Sequence, residues 1–176
     1  MCYDSVMEKQ TAQLTSKPAR SVQLPRWEEL PDIDLYIEQV LSLLALWLEE
    51  SFYTDDKPLM TKTMVNNYVK QGVIAAPVNK KYDRLAVASL FAICILKTVY
   101  SMQDIAKLIH LALEVNTPGT SYDRFCDTVE QAVEAVYSGS GFPARGDRTD
   151  AQYLLRTVAL SFACTCFSRD SYLSKV

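Results

Sequence analysis

One twelve-residue segment, from Thr61 to Gly72, constrains the fold of this chain more than any other. Wound as an α-helix at about 100° per residue, it separates into a polar face and an apolar face. The polar face has no acid and consists of Lys62, Thr63, Asn66, Asn67, Lys70 and Gln71. The apolar face consists of Met64, Val65, Tyr68 and Val69. Because lysine and amide side chains suit phosphate oxygens and base edges, the polar face favours DNA binding. The alternative is an ordinary solvated face, although such faces usually mix Glu with Lys.

Charge is distributed unevenly along the chain. The formal net charge of −3 argues against a protein that coats nucleic acid in general. From Trp27 to Asp56 there are nine acidic residues and no Lys or Arg, whereas from Lys57 to Arg84 six basic residues stand against Asp83 alone. A local basic patch on an acidic protein is typical of a small nucleic-acid footprint, and chance clustering on a surface is the alternative.

Apolar residues recur at helical spacing along most of the chain, and few segments alternate as strands do. We expect helices at about residues 33–51, 61–72, 84–100, 101–113, 121–137 and 149–167. Thr61, Asp83 and Ser101 are candidate N-caps, and Gly72 fits a helix C-terminus. Between the second and third helices, a segment with Pro77 ends in the basic tip 79–82, which predicts a short wing or hairpin.

The chain divides into three predicted parts. Residues 1–26 are polar and aperiodic and are predicted to form a mobile arm; 27–115 form a helical domain; and 116–176 form a helical extension that is a candidate dimerisation or effector region. The last helix presents Tyr153, Leu160, Phe162 and Phe167 either to a second copy or to the core. No apolar run is long enough to span a membrane, and the N-terminus lacks a signal pattern, so we expect a cytoplasmic protein.

Residues that could catalyse a reaction or bind a metal form no recognisable pattern. The five cysteines have no framework spacing, and Cys164 and Cys166 would point about 200° apart on one helix. The single histidine, His110, lies in a largely apolar helix. Residues 139–144 match a weak dinucleotide-binding string, but a predicted helix precedes them and Pro143 interrupts them. We therefore expect no metal site, no cofactor and no enzymatic activity.

The order of features from Thr61 to Ile109 resembles the winged helix-turn-helix domain of MerR-type transcriptional regulators. A polar-faced helix ends in Gly72 and two apolar residues, a basic tip ends in Tyr82, a buried helix follows, and the step 101–105 (SMQDI) starts the next helix. The phrases LPDIDLYIEQVL, LMTKTMVNNYVKQGVI and KKY are more similar still to the YkrK-type bacterial proteins of unassigned function. This likeness covers about residues 30–113.

The resemblance implies an all-α fold in which a MerR-like winged helix-turn-helix core, with at most a short β wing, precedes a helical C-terminal extension. It implies a homodimer on double-stranded DNA. The residues it assigns to the major groove are Lys62, Thr63, Asn66, Asn67 and Lys70, and those it assigns to the wing are Lys80, Lys81 and Tyr82. The alternative function is a protein-interaction adaptor on the same scaffold, with the acidic stretch 27–56 contacting a basic partner protein.

Overall fold

A computed structural model of the chain describes residues 22–52, 58–140, 146, 149–171 and 173. Most of these residues lie in six helices, α1 (Ile37–Phe52), α2 (Lys62–Lys70), α3 (Arg84–Leu96), α4 (Met102–Val115), α5 (Pro118–Ser138) and α6 (Asp150–Ser171). Two short strands, β1 (Leu35–Tyr36) and β2 (Lys81–Tyr82), pair antiparallel, and a 3-10 turn occupies Trp27–Glu29. The predicted all-α class with a short β wing is confirmed.

Capping side chains determine where several helices begin. Thr61 accepts a hydrogen bond from the Met64 N–H at 3.2 Å, and Asp83 accepts one from the Ala86 N–H at 2.8 Å. Ser101 does the same for the Asp104 N–H at 3.2 Å. Each bond satisfies an N–H that has no partner within its own helix. Helices α2, α3 and α4 therefore start at the caps predicted from the sequence.

The predicted first helix, at about 33–51, begins later than expected, at Ile37. Leu35 pairs with Tyr82, and Tyr36 pairs with Lys81. The backbone of Leu35 and Tyr36 is extended and forms its hydrogen bonds with β2. These two residues therefore cannot join the helix, which starts after them. The apolar spacing could not reveal it, because the partner strand lies beyond α2.

Helix α3 lies at the centre of one hydrophobic core. Its buried side chains include Leu90, Phe91 and Ile93, and it packs against α1, α5 and α6. Leu160 and Phe162 of α6 are also buried within the single chain. For these two residues the core-packing alternative is therefore confirmed over an exposed dimer surface.

Helices α5 and α6 run side by side in the same direction. Tyr137, near the end of α5, donates a 2.6 Å hydrogen bond to Asp170 Oδ2, near the end of α6. Its ring also meets the ring of Phe167 edge-on, with 5.3 Å between the centroids. A surface cleft lies between the two helices, lined by residues 124–131 of α5 and 152–156 of α6.

Residues 22–30 pack against α5, from Asp123 to Glu130. Val22, Leu24 and Leu30 are buried, and the Trp27 N–H donates to Asp123 Oδ1 at 2.7 Å. A mobile arm was predicted for residues 1–26. Residues 1–21 lie outside the described part of the chain, and residues 22–26 belong to this docked segment. The predicted boundary at 115/116 falls in the turn before α5, and core side chains on both sides of it belong to one cluster.

Candidate nucleic-acid interface

Helix α2 has the two faces that the sequence predicted. Val65 and Tyr68 are buried, and Met64 and Val69 are half-buried against the core. All of the predicted groove-facing side chains of this helix are exposed: Lys62, Thr63, Asn66, Asn67 and Lys70. The apolar face therefore anchors the helix, while the donor-rich face lies open on the surface.

The end of α2 is fixed by a Schellman motif at Gly72. The Val73 N–H donates to the Tyr68 carbonyl at 2.9 Å, and the Gly72 N–H donates to the Val69 carbonyl at 3.0 Å. Gly72 has a φ of 70°, a left-handed conformation that favours glycine. Val73 and Ile74 are buried directly after it, so the chain leaves the helix in a fixed direction towards the wing.

The wing (residues 78–82) is a two-residue hairpin. Val78 and Lys81 exchange backbone hydrogen bonds of 3.0 and 2.9 Å. Asn79 and Lys80, which form the turn, have φ values of 51° and 64°. Positive φ at both central residues is the signature of a type I′ turn, the form whose twist matches a hairpin. The basic tip predicted from the sequence therefore places Lys80 at the exposed end of the wing.

Lys81 and Tyr82 face in different directions from the wing strand. Tyr82 is only 4% exposed, and burial raises the pKa of its hydroxyl. Its place in the interface would thus be to anchor the wing in the core. Lys81 is half-buried, and its Nζ lies 5.0 Å from the centroid of the exposed Tyr36 ring. The sequence analysis did not identify Tyr36 and Val78, which are both exposed, as part of this surface. Their place beside Lys81 depends on the pairing of β1 with β2, which the sequence pattern does not reveal.

Acids accompany two of the basic residues in the 57–84 stretch. Glu38 Oε1 of α1 lies 3.4 Å from Lys62 Nζ, and both side chains are exposed, so water screens the pair. The pKa of the Glu38 carboxyl is lowered, mainly by a hydrogen bond from its own backbone and to a smaller extent by Lys62. Arg84 is different: it is mostly buried, lies 2.8 Å from Asp32, and stacks on Trp27. Arg84 therefore stabilises the fold and does not belong to the exposed basic surface.

Lys97, the residue directly after α3, holds the backbone just before α2. Its Nζ donates to the Leu59 carbonyl, and Leu59 and Met60 are both buried. Burial lowers the pKa of Lys97, and the neighbouring Cys94 acts in the opposite direction. This role could not be predicted from the sequence, because a lysine at the end of an apolar helix ordinarily extends into solvent.

Cys164 and Cys166 both lie on α6. Cys164 is exposed and Cys166 is buried, so the prediction that they point apart is confirmed. Among the residues that the structure describes, no three His, Cys, Asp or Glu side chains are grouped to hold a metal ion. In that same part of the chain, every helix is too short or too polar to cross a lipid bilayer.

Comparison with known protein families identifies the family of this chain. The family described as Domain of unknown function (DUF1836) matches residues 25–128, more than half of the chain, so the chain belongs to that family. The match runs from the docked N-terminal segment, through α2 and the wing, into the first half of α5. No curated protein and no solved structure matches the chain.

Proposed function

We propose that this member of the DUF1836 family is a DNA-binding transcriptional regulator of the cytoplasm, with a MerR-like winged helix-turn-helix core. The observation that carries the proposal is the exposed, acid-free face of α2, formed by Lys62, Thr63, Asn66, Asn67 and Lys70. Side chains of this kind supply what a DNA surface requires: cations for phosphates and amides for base edges.

The dimensions of α2 suit the major groove of B-DNA. An α-helix with its side chains is about 10–12 Å across, so α2 can enter a groove that is about 12 Å wide. Asn66 and Asn67, in the middle of the helix, could each read adenine through two hydrogen bonds. Lys62 and Lys70, at its two ends, could contact guanine or phosphate.

The wing would contact the sugar-phosphate backbone beside α2. Lys80 is exposed at its tip, and Lys81 lies over the exposed ring of Tyr36. Because Tyr82 is buried and β2 pairs with β1, the wing has a fixed orientation relative to α2. Contacts to phosphate set the register of a protein on DNA without reading its sequence, so the wing would position α2.

The proposed functional unit is a homodimer. One short helix and one small wing form a limited footprint, which gives limited affinity. Two symmetric half-sites would raise the affinity by avidity, as in other helix-turn-helix regulators.

The test is DNA binding by Lys62→Ala, Lys70→Ala and the double variant. Each lysine that contacts a phosphate contributes about 0.9 to the slope of log affinity against log salt, so the double variant should bind more weakly and with a flatter slope. Lys107→Ala is the matched control, because Lys107 is equally exposed but lies on α4. An unchanged affinity in the double variant would remove α2 from the DNA interface.

A second candidate function is a protein-interaction adaptor that uses α1. Glu38, Ser42 and Leu46 form one exposed row at helical spacing, and Leu46 is 76% exposed. Glu38 and Leu46 lie about two helical turns apart on one exposed face, and a surface with an acid and an apolar residue suits a basic amphipathic partner. A stoichiometric partner lost in a Glu38→Lys, Leu46→Ser double variant, but retained in Glu114→Lys on α4, would favour this function over DNA binding.

A further inference from the structure

Helix α4 carries more apolar surface than the core covers. Of its fourteen residues, Ile105 is the one that is buried. Leu108 is half-buried, and Ala112 is exposed, as are Leu111 (46%) and Val115 (58%). At about 100° per residue, these last four residues form one stripe beside the face that packs on the core. Apolar residues at this spacing, on the outside of a helix, are typical of the seam between two paired helices.

Charged side chains border only one flank of this α4 stripe. Lys107 and Glu114 lie about two helical turns apart on that flank, and both side chains are exposed. The other flank leads to Ile105 and Ile109, which pack on the core. The stripe therefore has a charged side and an apolar side, and the charged side carries one basic and one acidic residue in a fixed order.

The order of these two charges is self-complementary in an antiparallel pair of α4 helices. A twofold axis that crosses the stripe midway between Lys107 and Glu114 brings the charged flanks of both copies to the same side. Lys107 of one copy then lies opposite Glu114 of the other, and this pair occurs twice. A parallel pair would instead place the charged flank of each helix against the apolar flank of its partner. Flanking charges of this kind set the partner and the orientation of a helix pair.

Two ion pairs within α4 are compatible with this arrangement. Lys107 Nζ lies 3.7 Å from Asp104 Oδ1, and His110 Nε2 lies 3.1 Å from Glu114 Oε1. All four side chains are more than half exposed, so water screens both pairs. An ammonium group has three donors and a carboxylate has several acceptor positions, so each can bind a second group. Contact between the copies would join the two local pairs into one network.

We propose that the α4 stripe binds a second copy of this chain, as an antiparallel α4–α4 pair. Leu111 lies next to the twofold axis and packs on its own copy, and Leu108 packs between Leu111 and Val115 of the other chain. Two short helices bury less than the roughly 1,200 Å² typical of stable complexes, so the dimer is weak and reversible without DNA. This inference names the surface of the homodimer in the proposed function, and it rests on that part of it.

The experiment is sedimentation equilibrium of the full chain without DNA, over concentrations up to about 1 mM. Leu111→Asp should weaken dimerisation about tenfold or more, whereas Leu46→Asp, at an exposed leucine of α1, should not change it. Lys107→Glu and Glu114→Lys should each weaken it about tenfold, because like charges then face each other twice. Lys107→Ala removes an attraction without adding a repulsion and should change it little.

Mixing the two charge-reversal variants tests the antiparallel register directly. In the mixed dimer every Glu faces a Lys, so the mixture should dimerise about as tightly as the wild type, and so should one chain that carries both reversals. A mixture no tighter than either variant alone, or equal dimerisation by the wild type and Leu111→Asp, would overturn this surface while leaving the proposed homodimer intact. A chain that stays monomeric throughout would overturn both, whereas DNA contact by α2 is tested separately with the Lys62 and Lys70 variants.

Discussion

The guanidinium of Arg26 holds the carboxylate of Glu130 at two points, with Nη1 2.9 Å from Oε1 and Nη2 2.7 Å from Oε2. The same carboxylate accepts a hydrogen bond from the Leu24 N–H at 2.7 Å. These bonds join residues that are more than a hundred positions apart in the sequence. They attach the N-terminal segment 22–30 to α5.

Glu130→Gln should therefore destabilise the protein by about 1–3 kcal/mol, because a partly buried, charge-assisted pair loses one of its charges. The measurement is chemical denaturation at neutral pH. Glu134→Gln is the control, since Glu134 is exposed on the same helix.

The effect of Glu130→Gln should also depend on pH. Burial raises the pKa of Glu130, but the bonds from Arg26 and Leu24 lower it by more, so the net pKa lies below its ordinary value. A depressed carboxyl pKa contributes stability that is complete above the unfolded-state value of about 4.3 and is lost as the pH falls through the folded-state value. The gap between wild type and Glu130→Gln should narrow below about pH 4. A gap that stays constant down to about pH 3 would contradict this origin.

Gly119→Ala should destabilise the protein, although alanine favours helices over glycine by about 1 kcal/mol. A Cβ at position 119 would lie 3.0 Å from Trp27 Cδ1. The Trp27 ring cannot move away easily, because Tyr122 meets it edge-on and Arg84 stacks on it. The measurement is unfolding free energy in wild-type and Trp27→Ala backgrounds. In the second background the substitution should become neutral or stabilising, and the same loss in both would show that the ring contact is not the cause.

Lys80→Gly should stabilise the wing while weakening DNA binding. Lys80 has a left-handed φ of 64°, which costs a residue with a Cβ about 1 kcal/mol or more that glycine avoids. The substitution also removes the charge at the tip of the wing. Thermal unfolding should shift upwards and DNA affinity should fall. Lys81→Gly, in the paired strand, is the control and should destabilise, and a loss of stability in Lys80→Gly would contradict the type I′ turn.

Among the cysteines that the structure describes, Cys164 should react with iodoacetamide much faster than Cys94 and Cys126. Cys164 is exposed, whereas burial raises the pKa of both Cys94 and Cys126 to about 12. Since the thiolate is the reactive form, the two buried thiols should be modified only when the protein opens. Peptide mass spectrometry over a time course makes the measurement. Comparable rates for Cys94 and Cys164 in native protein would contradict the packing around α3.

Local features of this fold were predictable because their physical causes are local. Three features of α2 could be predicted: its N-cap at Thr61, its end at Gly72 and its two faces. Each depends only on residues within a few positions of one another. The donor-rich face of α2 was exposed as predicted for the same reason: its apolar residues determine which side packs.

Long-range features were not predictable from the same patterns. Because Leu35 pairs with Tyr82, α1 begins later than the helical spacing predicted. The Arg26–Glu130 pair attaches residues 22–26 to α5, although these residues were predicted to belong to a mobile arm. Both depend on partners that are distant in sequence, and neither alters the local hydrophobic period. Tyr82 is buried, and Lys97 donates to a distant backbone carbonyl. Both features result from tertiary packing, which the spacing of apolar residues along the sequence does not predict.

The most direct test of the proposed function is binding of the purified chain to labelled genomic fragments, including its own promoter, across a series of salt concentrations. If the proposed function is right, we expect selective binding of two chains per site, with log affinity that falls steeply and linearly with log salt. A folded protein that binds no fragment at low salt would contradict it and would direct attention to a protein partner of α1.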